Sequence, residues 1–88
     1  MTLDTVLRKN PNAAYRIFDG QATIVLPDQS EVNVLNQLGS QVWERIDGSR
    51  TVGQIVEAVL QEYEVGPETA RRDILEFIGT LYDHGMVT

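Results

Sequence analysis

Leu35 to Val56 reads LNQLGSQVWERIDGSRTVGQIV, and this stretch decides the fold. Leu38, Val42 and Ile46 recur every fourth residue and Trp43 widens the stripe, which predicts a short amphipathic helix over residues 37–46. Asp47-Gly48 supplies the turn, since glycine takes positive φ freely and aspartate tolerates it. Thr51 and Gln54 fit the capping box S/T-x-x-E/Q and open a second helix. A helix, a tight turn and a capped helix with a large aromatic at the junction form a helix-turn-helix-like corner.

Upstream of this corner the signals change to strands. Tyr15–Phe18 and Ala22–Leu26 are rich in aromatic and β-branched residues, with Asp19-Gly20 between them as a hairpin signal. Pro27-Asp28-Gln29-Ser30 reads as a further turn. Glu31-Val32-Asn33-Val34-Leu35 alternates polar and apolar residues as a short third strand, and Asn36 is placed to cap the first helix. Residues 1–13 show little apolar periodicity and read as a loosely ordered lead-in to a single domain over residues 14–88.

Downstream, the second helix runs from Val52 to about Tyr63, ended by Gly66. Pro67 suits the first turn of a third helix that continues to about Asp83, with Gly85 as its stop and Met86 and Val87 returning to the core. The order is three strands followed by three helices. This is an α+β, winged-helix-like domain in which a three-stranded antiparallel sheet precedes a three-helix bundle.

Eighty-eight residues hold one modest core. There is no cysteine, which removes disulfides, Cys-ligated zinc, iron–sulfur clusters and thiol nucleophiles together. No apolar run spans a membrane and Met1-Thr2-Leu3-Asp4 is no signal peptide, so the expected location is cytoplasmic. The net charge of −6 argues against nucleic acid, whose binders carry a basic footprint; only Arg71-Arg72 forms a local basic point.

Catalytic groups are few. His84 is the one histidine, and in the last turn of the third helix it suits the helix dipole better than general-base work. Ser30, Ser40 and Ser49 lie in no nucleophile elbow, and no phosphate loop, dinucleotide fingerprint or metal spacing appears. The residues point to a binding protein without enzymatic activity, cofactor or metal.

Two features suggest where binding occurs. On the third helix Ala70, Ile74, Phe77 and Leu81 form one stripe, and Arg71, Leu75, Ile78 and Tyr82 form another beside it. Together they cover roughly 160°, more than the ~100° that one-sided packing needs. Either the helix is wedged between neighbours, or the second stripe lines a groove with Arg71 and Tyr82 as polar anchors. The third strand, Glu31, Val32, Asn33, Val34 and Leu35, carries one charge and no proline, so its edge is open to β-augmentation by an extended peptide.

The string Leu35-Asn36, Gly39, Val42-Trp43-Glu44, Asp47-Gly48, Arg50-Thr51-Val52 and Ile55-Val56 resembles the PqqD family, named for the pyrroloquinoline quinone (PQQ) biosynthesis protein D. Tyr63, Val65, Asp73, Phe77, Leu81 and Gly85-Met86-Val87 continue the likeness, which covers about residues 15–87. The resemblance implies a winged-helix-like peptide chaperone, a recognition element for ribosomally synthesised, modified peptides. Such a protein binds the leader of a precursor peptide and presents it to a modifying enzyme, often a radical SAM protein. It also implies that the leader adds to the third strand, residues 31–35 here, and packs against the third helix, residues 67–83. A winged-helix nucleic-acid-binding or regulatory domain is the alternative, and a structural subunit that docks to an enzyme without touching peptide is a third reading. The precursor, the enzyme and the oligomeric state are not written in the sequence.

Overall fold

In the computed structural model, which describes residues 2–26, 32–62 and 66–88, strands β1 (Ala14–Phe18), β2 (Gln21–Val25) and β3 (Val32–Val34) precede helices α1 (Gln37–Glu44), α2 (Val52–Glu62) and α3 (Pro67–Asp83). The strands form an antiparallel sheet in the order β1-β2-β3. This is the expected α+β architecture. The expected turn over residues 27–30, Glu31, and Tyr63 at the end of the second helix fall outside the described residues.

Local chemistry accounts for the element ends. Asp19 and Gly20 both sit at positive φ, 54° and 79°, as a two-residue hairpin matched to strand twist requires. Asn36 accepts the Gly39 N–H at 2.7 Å and so caps α1. The Thr51–Gln54 capping box is reciprocal: each side-chain oxygen accepts the other residue's backbone N–H, at 2.9 and 3.1 Å. At the end of α3, Gly85 has φ 74°, its N–H donates to Tyr82 and the Met86 N–H donates to Leu81. This Schellman pattern turns the chain so that Met86 and Val87 are buried.

The core lies between one sheet face and the helices, with α1 touching β2, α2 and α3. Ala22, Ile24, Leu26 and Leu35 supply the sheet side, and Val42, Trp43, Ile46, Ile55, Val59, Ile74 and Ile78 the helical side. Trp43 is fully buried and plugs the corner. Its Nε1 has no hydrogen-bond partner among the described residues, so packing sets its position. Tyr15 meets it edge-on at 5.4 Å, and the Lys9 ammonium lies 5.2 and 5.3 Å from the two ring centres. Lys9 also donates to the Ile46 carbonyl at 2.9 Å. Burial pushes its pKa below the usual lysine range, opposed by Asp47 and Glu44.

The N-terminal segment departs from the expected loose lead-in. Leu7 is fully buried, and bridges join Val6 to Thr51 and Lys9 to Val87. Val52 and Gly53 donate their N–H groups to the carbonyls of Thr5 and Leu3 at 2.8 and 2.9 Å. These are first-turn donors of α2 that lack intrahelical partners. One buried apolar side chain, main-chain pairing and the polar side chains of Lys9 and Asn10 hold this strap, and none of these leaves an apolar period in the sequence.

Candidate functional site

The register fixes which backbone groups of β3 are free. Leu35 donates to the Ala22 carbonyl at 2.8 Å, and Asn33 pairs with Ile24. Antiparallel pairing alternates, so Asn33 and Leu35 turn their peptide groups towards β2 while Val32 and Val34 turn theirs to the open edge. No strand pairs with that edge among the described residues. The side chains follow the pleat: Leu35 is buried, Asn33 half-buried, and Val32 and Val34 are 60% and 63% exposed on the outer face.

Ser40 fixes the end of this strand. The buried Ser40 hydroxyl accepts the Ala22 N–H at 2.7 Å and donates to the Leu35 carbonyl at 3.4 Å. It therefore stands in the ladder between β2 and the end of β3, and ties both to α1.

A groove of about 350 Å³ opens where β3 ends. One wall is Asn36, Leu38, Gly39 and Val42; the other is Asp73, Ile74, Glu76, Phe77 and Thr80. Helices α1 and α3 approach closely here because residue 39 is glycine. A Cβ at that position would lie 3.0 Å from the Phe77 ring and 3.1 Å from Asn36 Oδ1. Leu38 and Phe77 are half-buried and packed against the core, so the groove has apolar footing and a polar rim.

The expected groove-lining stripe of α3 divides in this geometry: Arg71 and Leu75 line a groove, while Ile78 and Tyr82 do not. Ile78 is fully buried and lines no open surface. Arg71 and Leu75 instead border a separate groove of about 540 Å³ with Leu3, Thr51, Gly53 and Glu57. There Arg71 meets Glu57 at 3.0 Å. Leu75 lies about 200° around the helix from Asp73, so the two belong to opposite sides. Tyr82 is exposed and lines neither groove. The wide apolar arc arises because α3 packs on α1 with one flank and on α2 and the N-terminal strap with the other. Glu31 lies outside the described residues.

Sequence reasoning missed Asp73, Glu76, Phe77 and Thr80 as a group. The available signal was that Phe77, assigned to the core stripe, has polar residues at i−4, i−1 and i+3. Among the described residues, no group of three or more His, Asp or Glu is arranged to hold a metal. No helix among them is long and apolar enough to cross a membrane.

These features define a class first: a winged-helix-like α+β domain with an unpaired strand edge running into an inter-helical groove. The family model described as "Coenzyme PQQ synthesis protein D (PqqD)" matches residues 22–87, and the chain belongs to this family. No curated protein matches the chain. Two solved structures share the fold. One, "TbiB1 in Complex with the TbiA(beta) Leader Peptide", has a TM-score of 0.79 at 20% identity over 91% of this chain and 93% of that chain. The other, "Lasso peptide synthetase B1 complexed with the leader peptide", has a TM-score of 0.79 at 21% identity over 96% of this chain and 99% of that chain.

Proposed function

We propose that this chain is a cytoplasmic, non-catalytic carrier of a leader peptide, which it presents to the enzyme that modifies the precursor. The carrying observation is the alternation at β3: the peptide groups of Val32 and Val34 face an open edge that ends beside the groove. An extended peptide adds to that edge through main-chain hydrogen bonds and sets alternate side chains towards the helices. The docking surface is then Val32, Asn33, Val34 and Leu35 with Asn36, Leu38, Asp73, Phe77 and Thr80. Arg71, Leu75 and Tyr82 stand outside it. The family and the leader-peptide complexes of the two structural neighbours support the reading. The modifying enzyme is of a class that takes ribosomal precursors, a radical SAM enzyme being the one the family resemblance implies.

The test is amide exchange and NMR with a synthetic leader of the precursor encoded beside this chain. Binding should slow exchange at the Val32 and Val34 amides, with little change at Asn33 and Leu35, which are already paired. Shifts confined to Leu3, Arg71 and Leu75 would refute the site.

A further inference from the structure

We infer that the groove selects a peptide segment carrying a lysine or arginine next to an apolar side chain, an inference that rests on the peptide-binding reading of the same site. The groove itself is the site, and its charge decides the occupant. Half-buried Leu38 and Phe77 give an apolar side chain a place to pack. Asp73 and Glu76 stand on the α3 wall at i, i+3, where side chains are neighbours. Neither takes part in any of the ion pairs among the described residues, which join Arg45 to Glu62, Arg50 to Asp47 and Arg71 to Glu57.

No lysine or arginine among the described residues lines the groove. Arg71 is held on the far side of α3 by Glu57, and Arg72 is exposed one turn before Glu76, off the lining. A cation entering the groove therefore meets two carboxylates without displacing an internal partner. An anionic side chain meets repulsion there, and the net charge of −6 adds to it at long range.

The reach fits as well. Asn36, on the groove wall, lies two residues past Val34, so a strand added to β3 needs roughly 7 Å of further extended chain to enter the groove. Pairing with the edge and filling the groove thus belong to one continuous segment.

A displayed library of random 12-residue peptides tests this, selected in parallel on the unmodified protein and on the Asp73→Asn/Glu76→Gln double variant. The unmodified protein should enrich lysine or arginine beside an aliphatic or aromatic residue. The variant should keep the apolar preference and lose the cationic one. An individual selected peptide should bind the variant about fivefold more weakly at low salt, and the difference should close at high salt. Thr80→Lys, at an exposed groove position, provides a second arm: it should weaken the same peptide while leaving the thermal midpoint within a few degrees. Selected peptides with equal cationic content on both proteins, or enriched in acidic residues, overturn the inference and leave the peptide-binding reading standing. Recovery of no peptide overturns both.

Discussion

Replacing Leu7 by alanine is the sharpest test of the N-terminal strap. Leu7 is fully buried in the same core cluster as Trp43 and Ile46, although its neighbours in sequence make mainly backbone contacts. Truncating a buried leucine removes its transfer free energy and leaves a cavity, together about 2–5 kcal/mol. A value of about 3 kcal/mol suits a site at the margin of the core, where the strap has room to settle. A domain of this size has a total stability of about 4–13 kcal/mol, so the variant loses a large share. At roughly 4–8 °C per kcal/mol, the midpoint should fall by about 12–24 °C. Urea unfolding followed by circular dichroism measures the change, with Leu3→Ala as control. Leu3 is 53% exposed and contributes to α2 through its carbonyl, which alanine keeps, so that variant should lose less than about 1 kcal/mol. A loss below about 1 kcal/mol for Leu7→Ala would refute the docked strap and restore a loose lead-in.

Ser40→Ala should cost about 1–3 kcal/mol in urea unfolding, because the buried Ala22 N–H loses its acceptor; a cost under about 0.5 kcal/mol would mean that the ladder closes without the hydroxyl. Asp47 Oδ1 accepts the backbone N–H groups of Ser49 and Arg50 at 2.9 and 3.0 Å and the Ser49 hydroxyl at 3.0 Å, which holds its pKa down at about 2. A depressed carboxylate stabilises the fold above its unfolded pKa, and this contribution is lost progressively as pH falls from about 5 to about 1, through the folded pKa. The urea midpoint of the native protein should therefore exceed that of Asp47→Asn at pH 5, by a margin that narrows steadily towards pH 2 and closes below it; a gap independent of pH would refute the assignment.

The strands, helices and caps were legible in the sequence because each rests on a local rule. Asp19-Gly20, Asn36, the Thr51–Gln54 box and Gly85 act within a few residues, and all four take the expected form. The site was half legible. An edge strand can be read from alternation, and the register adds only which of its amides are free. The helix face could not be read the same way. Two adjacent apolar stripes on α3 state that the helix has two neighbours, but not which neighbour leaves a gap. Ile78 went to the core because α3 leans on α2 as well as α1, and Phe77 went to the groove because α1 begins opposite it. The strap escaped notice for a related reason: its carbonyls, which no pattern of side chains reveals, satisfy α2.

The family-marking string has more to do with binding than a scaffold role suggests. Asn36, Leu38, Gly39 and Val42 from its first half wall the groove, while Ser40 and Trp43 in the same turns face the interior. One short helix thus sets the depth of the core and the width of the groove together. Asn36 can give way only to another N-capping residue such as Asp or Ser without uncapping α1, and the side chain of any other residue at 39 presses on the Phe77 ring that forms the opposite wall. Leu35 and Ser40 add the third constraint, since they hold the end of β3 in register with the mouth of that groove. Specificity has freer ground across the gap. Asp73, Glu76 and Thr80 are exposed on α3, and the core does not depend on their side chains. A domain of this form can retune its peptide preference from α3 while the α1 wall and the strand edge stay as they are.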